Sequence, residues 1–108
     1  GYDHNWCLNT YKNGKGDDTK VCASLYSPVT GILLEMFTNE PGVQVYTGNF
    51  QGTGIACKHG VKYPKHVSVC LESQKYPDSP NKKDWPSPYL KTGERYYSHV
   101  AYRFGIKK

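Results

Sequence analysis

The sequence predicts an all-β fold, an antiparallel β-sandwich, on three observations. Short apolar–polar alternations recur along the chain, no segment keeps a helical period for more than a turn, and Pro and Gly fall between the alternating runs. Residues 21–27 and 32–38 read as strands joined by Pro28-Val29-Thr30-Gly31. Pro at the second turn position and Gly at its end suit a type I hairpin loop. Glu40-Pro41-Gly42 then breaks the chain and reads as a type II turn. Residues 43–47 alternate, with Val43, Val45 and Thr47 on one side and Gln44 and Tyr46 on the other. The clearest alternation spans residues 66–72, where Val67, Val69 and Leu71 oppose His66, Ser68, Cys70 and Glu72. A last strand is expected over residues 95–104, with Tyr96, Ser98, Val100, Tyr102 and Phe104 sharing a face. Two irregular stretches, 49–64 and a proline-rich 74–93, lie between, and loops of that length carry function or wrap a neighbour. Five or six short strands make a small sandwich with open edges, so the chain reads as part of a larger sheet.

Length and composition narrow the class. The 108 residues allow one domain or a fragment of one, over residues 1–108. Ten tyrosines, three phenylalanines and two tryptophans are too many for an unfolded tail. No apolar run approaches the roughly 18 residues of a membrane helix, and no segment has the pattern of a signal peptide. A membrane is therefore not an expected partner. The net charge of +5 raises nucleic-acid binding, but the basic residues are dispersed, with Lys82-Lys83 and Lys107-Lys108 the only adjacent pairs. With no RNP-like motif either, nucleic acid is not expected. Cys7, Cys22, Cys57 and Cys70 show no C-x-x-C spacing. They form two disulfides if the chain is secreted and stay free thiols in a reducing compartment, the favoured expectation. Cys57-Lys58-His59 lacks a second pair at ligand spacing, so no metal site is expected.

Five motifs occur in a characteristic order: Gly1-Tyr2-Asp3-His4-Asn5-Trp6; Glu40-Pro41-Gly42-Val43-Gln44-Val45-Tyr46-Thr47-Gly48-Asn49-Phe50; Tyr63-Pro64-Lys65-His66; Cys70-Leu71-Glu72-Ser73-Gln74 with Pro77-Asp78-Ser79-Pro80-Asn81; and Leu90-Lys91-Thr92-Gly93-Glu94-Arg95-Tyr96. Together they resemble the carboxy-terminal third of the aldose 1-epimerase (galactose mutarotase) family. The resemblance runs from residue 1 to about Phe104. It implies a β-supersandwich that binds a hexose of galactose or glucose type in a shallow polar groove and interconverts its anomers without a cofactor. Glu72 falls on the family's general base, Asp3 on the carboxylate that grips sugar hydroxyls, and Gln44 on a substrate-contacting amide.

The chemistry of these residue types agrees. A glutamate, with a reference pKa of about 4.3, is ionised at neutral pH and can take a proton from an anomeric hydroxyl. Carboxylates and amides engage hydroxyls through directional hydrogen bonds, and Trp6 or Tyr46 are candidates to stack on a pyranose. Outside the motifs, Glu72 would read as a solvated carboxylate, Asp3 as a turn residue and Gln44 as polar-face filler. In the family the catalytic acid is a histidine upstream of the Gly-Tyr-Asp-His motif, and none of His4, His59, His66 or His99 matches it. His66 reads as a loop anchor. Three expectations follow: a fragment completed by an amino-terminal partner, a non-catalytic lectin-like module, or a chain that completes itself as a homo-oligomer. A cytoplasmic location is favoured by the resemblance, with an extracellular one left open.

Overall fold

Eight strands carry the regular structure of the chain: β1 (Asp3–Cys7), β2 (Tyr11–Lys12), β3 (Lys15–Gly16), β4 (Ala23–Tyr26), β5 (Ile32–Thr38), β6 (Gly42–Tyr46), β7 (Cys70–Gln74) and β8 (Val100–Ile106). The computed structural model describes all residues from Gly1 to Lys108. One sheet has the order β1-β6-β7, a second β4-β5-β8, and β2 and β3 form a separate hairpin; every pairing is antiparallel. Short 3-10 turns at Lys58–Gly60 and Ser79–Asn81 are the only helical structure, and no helix is long and apolar enough to cross a membrane.

The two larger sheets face each other across a small core. Val43 and Leu71 of the first sheet and Met36 of the second are buried with Leu8, and Ala23, Leu25, Leu34, Val45 and Cys22 pack around them. The inward residues of β4 and β5 lie two apart, as strand geometry requires. Near the β7 edge the Tyr102 hydroxyl of β8 donates to the Leu71 carbonyl at 2.5 Å, joining the two sheets by a hydrogen bond as well as by packing. At the entrance to β6, the buried Glu40 carboxylate lies 2.6 Å from Lys75 Nζ, just past the end of β7.

Three local expectations change. Gly42 has no positive φ and is extended at the head of β6, so Glu40-Pro41-Gly42 is not a type II turn. The strand expected from residue 66 begins at Cys70, because β6 ends at Tyr46, the partner of Cys70, and leaves nothing further to pair. His66 instead takes φ 62° and its backbone N–H donates to Gly48 O. Likewise β8 starts at Val100, opposite the last residue of β5, and not at residue 95. Two elements were not anticipated. One is β1, and the other is the β2–β3 hairpin, whose Asn13-Gly14 pair at φ 54° and 75° is the usual signal for a two-residue turn. The Pro28–Gly31 loop does form, with Gly31 at φ 75° donating to Ser27 O.

Only ten of the 108 residues are buried, so the core is small and each member carries a large share of it. Met36→Ala is expected to cost about 2–5 kcal/mol, a large part of the roughly 5–15 kcal/mol of a typical domain. A shift of the urea midpoint with unchanged slope checks it. Burial, followed by the nearby Glu72 charge, pushes the Tyr102 phenol above its ordinary value. A raised folded value means that the hydroxyl's contribution is intact below about pH 10 and is lost as pH rises through the folded value. The stability gap between wild type and Tyr102→Phe should therefore narrow above about pH 10; a gap that stays constant there would refute the assignment.

Candidate functional site

Register fixes which side chains share a face of the β1-β6-β7 sheet. Asn5, Gln44 and Glu72 stand in one cross-strand row, because Asn5 pairs with Gln44 and Gln44 with Glu72. Asp3, Tyr46 and Cys70 form the next row on the same face, and Cys7, Gly42 and Gln74 the row beyond. Directly opposed residues of antiparallel strands point to the same side, so these nine positions make one polar face. The reverse face carries His4, Trp6, Val43, Val45 and Leu71, and packs on the second sheet.

The structure thus brings Asp3, Gln44 and Glu72, which are far apart in sequence, onto one face of three adjacent strands. Gln44 Nε2 donates to Asp3 Oδ1 at 2.8 Å. Gln74 Nε2 donates to Gln44 Oε1 and to Asn5 Oδ1, each at 2.9 Å. Glu72 is exposed, and none of the chain's ion pairs engages its carboxylate. What the strip leaves open to a ligand is an unpaired carboxylate at Glu72, the second oxygen of Asp3 and the remaining N–H of Gln44. That set mixes acceptors with a donor, as recognition of vicinal hydroxyls requires.

The aromatic candidates separate. Tyr46 shares the polar face and accepts a hydrogen bond from Phe50 N at 3.1 Å. Trp6 lies on the reverse face, edge-on to Tyr2 at 6.4 Å between ring centroids, so it cannot stack on a ligand beside Glu72. The histidines stand off the strip. His4 is on the reverse face, and His66 Nδ1 donates to the Thr47 carbonyl at 2.9 Å, as a loop anchor. His99 lies 3.1 Å from Asp18, and His59 occupies the exposed turn. All four cysteines are free thiols.

Sequence reasoning passed over Asn5 and Gln74 and read Gly42 as a turn glycine. The first two lie two residues from Asp3 and Glu72, so strand alternation alone put them on the same face. Gly42 is required for space. A Cβ there would overlap Asn5 Oδ1 and press on the Tyr76 ring, so only a bare backbone leaves room for the Gln74 and Asn5 side chains to meet.

The chain is thus an antiparallel all-β protein with two carboxylates and an amide on one open polar face. The family described as Aldose 1-epimerase matches residues 1–103, and the chain belongs to it. Among curated proteins it is similar to galactose mutarotase from Mus musculus, 41% identical over 106 residues. The corresponding figures are 40% over 107 residues for galactose mutarotase from Homo sapiens and 39% over 106 for aldose 1-epimerase from Escherichia coli (strain K12). These matches cover 96–98% of the chain but only 29–30% of each relative's length.

Gly42→Ala is expected to destabilise the chain by about 1–3 kcal/mol through overpacking. It should also shift the side-chain amide resonances of Asn5 and Gln74 while leaving the second sheet unperturbed. Unchanged amide signals would show that the space at Gly42 does not serve the strip.

Proposed function

We propose that this chain is the base-bearing, hexose-binding portion of an aldose 1-epimerase active site. On this reading a galactose- or glucose-type pyranose lies across the polar face, its C1 hydroxyl against Glu72 and other hydroxyls against Asp3 and Gln44. Glu72 takes the C1 hydroxyl proton, and the electron pair released forms the C1 carbonyl as the C1–O5 bond breaks. The ring oxygen then takes a proton. Rotation about C1–C2 and closure in reverse give the other anomer. No metal or redox step is needed, because each bond change is offset by a proton transfer. The observation that carries this reading is the convergence of Asp3, Gln44 and Glu72 on one face, with Glu72 left unpaired.

No histidine of the chain stands on the strip, so on this reading a histidine donor for the ring oxygen comes from another segment or copy. General acid–base assistance contributes about 10²–10⁴ in rate, so the chain alone is proposed to be catalytically incomplete and to reach full rate only when another segment or copy provides the acid. Galactose binding, followed by NMR shifts of residues on β1, β6 and β7, should be weakened roughly tenfold by Gln44→Ala through the loss of one ligand hydrogen bond. Glu72→Gln, nearly isosteric, should keep binding but remove whatever acceleration of α-D-galactose mutarotation polarimetry detects. Binding without acceleration, even after a family amino-terminal segment carrying the catalytic histidine is added, selects the lectin-like alternative. A chain that neither binds hexose nor accelerates mutarotation overturns both.

A further inference from the structure

We infer that Gln74 is a positioning residue that sets which way the Gln44 amide faces, and through it the affinity for the hexose; this rests on the sugar-binding reading above. Both protons of the Gln74 amide are committed, one to Asn5 Oδ1 and one to Gln44 Oε1. Gln44 therefore turns its carbonyl toward Gln74 and its NH2 toward Asp3 Oδ1. The opposite orientation would set two NH2 groups against each other and aim a carbonyl at the Asp3 carboxylate, exchanging two hydrogen bonds for two repulsive contacts. Polarity thus runs one way along the strip, from Gln74 through Gln44 to Asp3. It leaves the second Gln44 N–H as a donor beside the free oxygen of Asp3.

Gln74 occupies the row of Gly42 and Cys7, one row beyond Gln44 and Glu72 and two beyond Asp3. A sugar held between Asp3 and Glu72 meets Gln44 first, so Gln74 acts through Gln44 and not by contact. Its reach across the sheet exists because Gly42, directly opposite, has no side chain to occupy the gap.

A purely structural clasp across three strands would give the same hydrogen bonds, so the test must separate stitching from orientation. Gln74→Glu does so. A carboxylate at 74 accepts but does not donate, so Asn5 and Gln44 can both turn their NH2 groups toward it. The three strands stay tied with the polarity of the strip reversed. The expected result is an unfolding midpoint lowered by less than in Gln74→Leu, because the Gln44–Asp3 bond is lost while the ties to residue 74 remain. With it go nuclear Overhauser contacts of the Gln44 NH2 that move from Asp3 to residue 74, and at least tenfold weaker galactose binding. Gln74→Leu, which can do neither, should lose both stability and affinity. Unmoved Gln44 contacts in Gln74→Glu overturn the inference, and so does a reversal that leaves galactose affinity intact. If the wild type binds no hexose, the functional reading falls with the affinity clause. The contacts of the Gln44 NH2, which need no ligand, then still decide whether Gln74 orients it.

Discussion

Everything on the polar face depends on the register between β6 and its two neighbours. Side chains alternate along a strand with a period of two, so a slip of one residue would move every member to the other side. Gln44 would enter the core and Val43 would face water. The hydrophobic face prevents this. Val43, at 2% exposure, and Leu71 at 8% are the buried members of the first sheet, and Val45 packs beside them. Moving Val43 and Leu71 into solvent would forfeit about 1.5–3 kcal/mol for each fully buried side chain. The polar strip is thus placed by residues that never touch it.

The ends of the strands reinforce that register. Leu8 N donates to the Pro41 carbonyl at 2.9 Å, holding the exit of β1 against the entrance of β6. Glu40 and Lys75 pin the same end of β6 to the chain leaving β7. A buried carboxylate left without its ammonium is costly, on the order of 3–5 kcal/mol, so this pair favours a single alignment even where its net contribution to stability is small. Tyr102 adds a tie at the β7 edge by occupying the outward carbonyl of Leu71, the residue before Glu72. Glu72 is therefore held by its neighbour in sequence, while its own carboxylate stays free.

Much of this was legible in the sequence, and the failures have physical causes. The strand over 32–38 was read to the residue, because β-branched and apolar side chains end there at clear turn signals. Gln44 was correctly placed opposite Val43 and Val45, since alternation needs no knowledge of partners. The starts of β7 and β8 were misread because a strand ends where its partner ends, and pairing is tertiary information. Trp6 was misassigned for the same reason: β1 was not recognised as a strand, so its alternation was not applied. Gly42 was read as a conformational glycine, whereas its role is the absence of a Cβ next to Asn5 and Tyr76, a contact between residues far apart in sequence. The convergence of Asp3, Gln44 and Glu72 was implied only by family resemblance. Periodicity gives each residue a face, but not which strands lie side by side.

The composition of the strip also explains a division of labour in the proposed chemistry. Anomer exchange moves one proton from the C1 hydroxyl and one to the ring oxygen, which are bonded to the same carbon and lie close together. A base and an acid that were both on this sheet, within the same row, would stand close enough to neutralise each other before a sugar arrived. Here the row of Glu72 contains only the amides of Gln44 and Asn5, neither of which is an acid, and Gln74 on the next row is an amide as well. Amides can orient hydroxyls without competing for the proton, so Glu72 keeps its carboxylate available while its surroundings remain strongly hydrogen-bonding. On the proposed reading, a surface organised this way serves proton removal and hydroxyl recognition from one side of the pyranose.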